Sequence, residues 1–157
     1  MGRVPTPSER LRDLGVELPP PPGAVAAYIP ARRDGNLVWT SGQLPFVNGT
    51  IPTPGKLGAD LSVEQGYAAA RQSALNAIAV AAAAAGGVDA LAAVVKVVGF
   101  VQCDPDFHDQ PKVVNGASEL LQEVFGDDGR HARSAVGVGA LPLNAPVEVE
   151  VVFRIRN

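Results

Sequence analysis

The sequence predicts an α+β domain, a largely antiparallel sheet with two helices packed on one of its faces. Three observations predict it. Val147, Val149, Val151, Phe153 and Ile155 alternate with Glu148, Glu150, Val152, Arg154 and Arg156, the two-residue period of a half-buried strand. Two stretches with helical spacing carry clear start and stop signals. The element order, β-β-β-α-β-α-β-β, lacks the strict alternation of strand and helix that builds an all-parallel sheet.

At 157 residues the chain is one ordinary domain, with 46% hydrophobic and 18% charged residues. Thirteen Lys and Arg against sixteen Asp and Glu give a net charge of −3. That balance argues against phosphate-driven binding of nucleic acid, because no excess of cations is present to displace counterions. No stretch is long and apolar enough to span a bilayer, the nearest being the alanine-rich Ala77 to Ala85. The N-terminus lacks the charged-then-apolar order of a signal peptide, so a soluble cytoplasmic protein is expected. The single cysteine, Cys103, cannot form an internal disulfide and reads as a small buried hydrophobe.

Residues 1–23 read as a proline-rich extension ahead of a domain over 24–157. Ser8 to Gly15 can form one or two helical turns. Pro19 to Pro22 is a polyproline II segment that cannot join a sheet ladder, and reads as a strap on the domain surface. Val25 to Arg32 and Leu37 to Ser41 flank Arg33-Asp34-Gly35-Asn36, a hairpin whose Asp-Gly supports a type I′ turn. Asn48-Gly49 repeats that signal. Ser62 with Gln65 is a capping box that opens the first long helix; Tyr67, Ala74, Leu75, Ile78 and Ala82 form its apolar stripe, and Gly86-Gly87 ends it. Ala93 to Cys103, apolar on both faces except Lys96 and Gln102, predicts a central strand. The second helix runs from about Pro111 to Phe125, with Val113, Ala117, Leu120, Leu121 and Val124 on one face. Ser134 to Leu141 and Pro146 to Arg156 are the closing strands. In the first of them Val136, Val138 and Ala140 are expected to face the core, leaving Ala135, Gly137 and Gly139 on the opposite sheet face with Glu148 and Glu150. Small residues there let another backbone approach, so that face or its rim is expected to meet a second copy of the chain or solvent.

Four groups of residues can carry chemistry. Arg130-His131-Ala132-Arg133 puts a planar five-donor guanidinium at the start of a strand, suited to a carboxylate or to balancing Asp127 and Asp128. Glu148 can take a proton from water and return it, or pair with Arg154 or Arg156. Thr40-Ser41-Gly42-Gln43 can donate to a ligand oxygen or cap a turn. Tyr28 is a pocket wall or a satisfied buried phenol. Gly137-Val138-Gly139 is not a dinucleotide fingerprint, since no helix follows it. His108 and His131 are not spaced as metal ligands.

Several segments together resemble the RidA (YjgF) family, also called the L-PSP endoribonuclease family. They are Gly35 to Pro45 (GNLVWTSGQLP), Ala70-Arg71-Gln72-Ser73, Val114-Asn115, and above all Ala132-Arg133-Ser134-Ala135-Val136 through Leu141-Pro142 to Val147-Glu148-Val149-Glu150. The resemblance runs from about Tyr28 to Phe153. It implies the fold of bacterial trimeric chorismate mutase and a homotrimer with sheets facing inward and a ligand cleft at each subunit boundary. The implied activity is hydrolysis of reactive enamines and imines, such as 2-aminoacrylate, to 2-keto acids and ammonia, with no metal and no cofactor; a non-catalytic binder of small carboxylates is the other reading, and RNA cleavage fits the acidic charge poorly. By the same resemblance Arg133 clamps the substrate carboxylate and Glu148 activates water. Tyr28, Ser41 and Asn115 match pocket positions, and Gly42 the glycine beside the ligand. Ala135 stands where the family usually has cysteine, and Phe107 to Pro111 resembles an insertion.

Overall fold

The computed structural model describes residues 2–22 and 27–157. Helix α1, Pro7–Asp13, starts at Thr6, whose side chain caps Glu9 while Glu9 returns the bond to the Thr6 backbone. It opens slightly earlier than the expected Ser8 and is docked: Leu11 is 5% exposed and belongs to the core, and the Ser8 N–H and hydroxyl donate to the Asp89 carboxylate at 2.8 and 2.6 Å.

Strands β1 (Ala31–Asp34) and β2 (Leu37–Thr40) form an antiparallel hairpin with Asp34 opposite Leu37. The two-residue loop is therefore Gly35-Asn36. Positive φ is confined to Gly35 (61°), the type II′ pattern, which corrects the expected type I′ turn. The N-terminal part of the expected first strand, Val25 and Ala26, lies outside the described residues. Asn48 (φ 50°) and Gly49 (φ 81°) do make a type I′ turn, but only one bridge, Val47 to Thr50, forms around it.

Helix α2, Val63–Ala85, has the expected Ser62–Gln65 capping box and ends at Gly86 in the left-handed region. Ala74, Ile78 and Ala82 are buried as expected, together with Ala70, Ala77 and Ala81. Tyr67 and Leu75 are only half-buried, and the Tyr67 hydroxyl donates to Glu119. Strand β3 (Leu91–Gln102), helix α3 (Gln110–Phe125) and strand β4 (Ala132–Val138) follow as one parallel β-α-β crossover, and β5 (Val147–Ile155) returns antiparallel between β2 and β3. The sheet order is β1-β2-β5-β3-β4, with β3 paired on both sides and β4 at the edge. The sheet is thus mixed, antiparallel apart from the β3–β4 pair.

Phe153, Leu57, Ile78, Leu91, Leu120 and Leu121 are the largest fully buried apolar side chains, and each contributes about 1.5–3 kcal/mol by burial. Gln102, polar and buried, has its amide satisfied: Nε2 donates to the Gly55 carbonyl and Asn144 Oδ1, and Oε1 accepts from the Leu141 N–H. It ties two loops to the end of β3.

The faces of β4 are the reverse of the sequence expectation. Ala135 packs against the core, and a Cβ on Gly137 would lie 2.8 Å from Cys103 Sγ and from Gln110 Nε2, so both residues face the helices. Val136 is 44% exposed on the other face. The cause is close packing. A Cβ on the neighbouring Gly99 would come within 2.6 Å of Val114, so α3 lies too near the sheet edge for valines beneath it. Glu148 and Glu150 do lie on the open face, accompanied by larger apolar residues and not by Ala135 and Gly137.

Candidate functional site

Arg133 sits at the start of the edge strand β4, opposite the fully buried Val97, and its half-buried side chain turns to the helix layer. There its Nη1 donates to Asn115 Oδ1 at 2.8 Å and to Ser118 Oγ at 3.1 Å. Asn115 and Ser118 are three residues apart on α3 and so share one helix face. Among the described residues no carboxylate pairs with Arg133, Asp127 and Asp128 included. The charge is held in place by neutral oxygens and left uncompensated, the arrangement of an anion site. Ala135 follows on the same side of the strand.

Ser41, Gly42 and Glu148 make a second group, with Tyr28 next to the segment bonded to Ser41. Ser41 donates its hydroxyl to the Ile29 carbonyl at 2.7 Å and its N–H to the Pro30 carbonyl at 2.7 Å, which fastens the Tyr28 segment to the end of β2. Tyr28 itself is 62% exposed. Gln43 then exchanges two backbone bonds with Val149, and this register brings Gly42 against Glu148. A Cβ at position 42 would overlap the Glu148 carboxylate, so that carboxylate lies directly over Gly42 and a side chain there would push it aside. Glu148 makes neither a hydrogen bond nor an ion pair with any described residue; Arg154 and Arg156 do not pair with it. Burial, and secondarily the Glu150 charge, raise its pKa above the ordinary 4.5.

The two clusters are separate in one chain. Arg133 pairs in register with Val97 and Glu148 with Phe100, positions of opposite parity on β3, so the side chains lie on opposite faces of the sheet. They are also two strands and three residues apart, roughly 14 Å between Cα atoms by ideal sheet spacing. Asn115 joins Arg133 and Gly42 joins Glu148, while Ser41 holds the segment that follows Tyr28.

The open face around Glu148 is apolar for a surface. Trp39 is 52% exposed, and its register neighbour Val152 and the half-buried Val98 and Phe100 lie beside it with Val136. A depression of about 120 Å³ there is lined by Trp39, Lys96, Val98, Glu150 and Val152. Lys96 donates to Ser134 Oγ at 3.3 Å.

Cys103 is buried, as expected, and with Asp104, Phe107, His108, Gln110 and Gly137 lines a cavity of about 370 Å³. The expected insertion, Phe107 to Pro111, is thus one wall of that cavity and the start of α3. His131 Nε2 is buried without a partner, and desolvation lowers the pKa of its ring. Among the described residues no group of three or more His, Cys, Asp or Glu could hold a metal ion, and no helix is long and apolar enough to cross a membrane.

Ser118 escaped the sequence reading. Its signal was its spacing, three residues after Asn115 on the same helix face.

These features agree with the comparisons to known proteins. Residues 8–154 match the family described as "YjgF/chorismate_mutase-like, putative endoribonuclease". The chain is 41% identical over 157 residues to Protein TCP17 of Trypanosoma cruzi, covering 99% of this chain and 96% of that one. The crystal structure of Atu1372 of Agrobacterium tumefaciens, a protein of unknown function, superimposes with a TM-score of 0.85 at 41% identity, over 96% of this chain and 92% of that one. Escherichia coli TdcF, solved with bound serine, gives a TM-score of 0.62 at 27% identity, over 87% and 94%. The chain belongs to the RidA/YjgF family, with its chorismate-mutase-like fold.

Proposed function

We propose that the protein hydrolyses small enamines and imines of the 2-aminoacrylate type to 2-keto acids and ammonia, without a cofactor, at clefts between the subunits of a homotrimer. The observation that carries this reading is the Arg133 guanidinium, held by Asn115 and Ser118 and free of any carboxylate partner among the described residues. The bound serine of TdcF, a small molecule with a carboxylate, supports the same ligand class. The apolar open face supports assembly: inward-facing sheets would bury Trp39 and Val136. Packing of edge β4 against the neighbour's open face would bring Arg133 of one protomer toward Tyr28, Ser41, Gly42 and Glu148 of the next.

The chemistry follows from the two groups. Arg133 holds the carboxylate and fixes the C=N carbon. Glu148, ionised, takes a proton from water as the water oxygen bonds to that carbon and the π electrons move to nitrogen, then gives that proton to the nitrogen, forming a carbinolamine. Glu148 next takes the carbinolamine hydroxyl proton and passes it to the nitrogen as the C–N bond breaks, so the carbonyl forms and ammonia leaves. An enamine reaches the same path after protonation at its terminal carbon. The raised pKa of Glu148 makes it a better base near neutral pH.

The test is to generate imines with an amino-acid oxidase and follow keto-acid release. The protein should accelerate it, and Arg133→Ala should lose about 10–100-fold in affinity for the acid, the value of a charge-assisted bond. Unchanged release across several amino acids rejects the enzymatic reading. Pyruvate binding without turnover would favour a carboxylate binder, a reading supported by the Arg133 cluster being complete in one chain without Glu148.

A further inference from the structure

We propose that Ser118 is a positioning residue for Arg133: with Asn115 it occupies Nη1 and so leaves the Nε–Nη2 edge of the guanidinium to receive one carboxylate. The inference rests on the reading of Arg133 as the carboxylate clamp and adds which edge binds and what holds it.

A guanidinium has five N–H donors in one rigid plane. Nη1 carries two of them, and they meet two acceptors, Asn115 Oδ1 at 2.8 Å and Ser118 Oγ at 3.1 Å. Two acceptors on one nitrogen fix both the height and the tilt of the plane. The remaining three N–H groups meet no hydrogen-bond partner among the described residues, and Nε with Nη2 forms the parallel pair that matches a carboxylate. Both anchors are neutral. A carboxylate in either place would pair with Arg133 and compete with the ligand; an amide and a hydroxyl hold it without neutralising it.

Ser118 has no other evident reason for its place. It is 7% exposed in the middle of α3, among Ala117, Leu120 and Leu121. Serine is a poor residue for a helix interior, and a buried hydroxyl costs stability unless bonded. The bond to Arg133 accounts for a residue that helix propensity and core packing both disfavour.

The experiment is calorimetric titration of pyruvate into the wild type, Ser118→Ala, Ser118→Thr and Arg133→Ala chains, with Tm measured for each. The wild type should bind and Arg133→Ala should not. Ser118→Ala should weaken binding about 10-fold, the lower end for a bond to a charged group because Asn115 remains. Ser118→Thr, which keeps the hydroxyl, should restore affinity to within about 3-fold. In turnover the Ser118→Ala loss should fall on KM more than on kcat. Wild-type affinity in Ser118→Ala, with Arg133→Ala silent, overturns the inference and leaves the clamp standing. Equal losses in Ser118→Ala and Ser118→Thr assign the effect to packing and also overturn it. Arg133→Ala binding as tightly as wild type overturns the clamp and this inference together.

Discussion

On the helix side of the sheet, backbone and side chains approach so closely that Gly99 and Gly116 leave no room for a methyl group; on the other side Trp39 and Val136 stay 52% and 44% exposed. The same five strands build both faces. The difference teaches where each face finds its partner. The first is closed by the chain's own helices, to the packing density of a protein interior. The second carries apolar side chains that nothing among the described residues covers, with Glu148 among them. Arg133 belongs to the closed side and Glu148 to the open one, so the proposed chemistry depends on what meets the open face.

The largest expected effect breaks that contrast directly. Val136→Glu places a charge on the open face, and in sedimentation the proposed trimer should give way to monomer mass while the far-ultraviolet circular dichroism is kept. An unchanged mass would mean that the open face is not the contact. Next, Gly116→Ala attacks the closed side. A Cβ there would overlap the Tyr67 carbonyl and lie 2.9 Å from its carbon, backbone atoms that cannot swing away. Denaturant unfolding should show a loss of about 1–3 kcal/mol, the cost of overpacking. A loss below about 0.5 kcal/mol would show the α2–α3 contact to be looser than drawn.

The smallest effect is a pH dependence. The folded state raises the pKa of Glu148 above 4.5, chiefly by burial, so folding disfavours the charged form. This group therefore favours the folded state below 4.5, and that advantage is lost as pH rises through the raised value. Glu148→Gln removes the charge and should raise Tm at pH 7 but leave it unchanged below pH 4.5. A gain that persists in acid would assign it to something other than ionisation. For the same reason activity should fall as pH drops through the raised value, since the base must be ionised.

The architecture was legible because its signals are local. Ser62 and Gln65, Gly86, Gly126 and the alternation along β5 each specify an element boundary or a face. The β4 face was not legible. Val136, Val138, Gly137 and Gly139 alternate cleanly, but which set is covered depends on how near α3 lies, a distance set by Gly99 and Val114 elsewhere in the chain. The hairpin loop lies one residue later than the Asp34-Gly35 signal suggests, because Asp34 pairs with Leu37 and leaves Gly35-Asn36 as the loop. At the site, motif resemblance picked out Arg133, Asn115, Gly42 and Glu148 together. Their division between two faces needed the register of β4 and β5 against β3, and Ser118 needed the guanidinium's direction.

The most direct test of the account mixes two chains, Arg133→Ala and Glu148→Gln, each expected to be inactive alone. If each site takes Arg133 from one protomer and Glu148 from its neighbour, co-refolding equal amounts should regenerate intact sites at about a quarter of the seams, with a matching return of imine hydrolysis. A mixture as inactive as its parents, although sedimentation shows mixed trimers, would contradict a site shared across the seam.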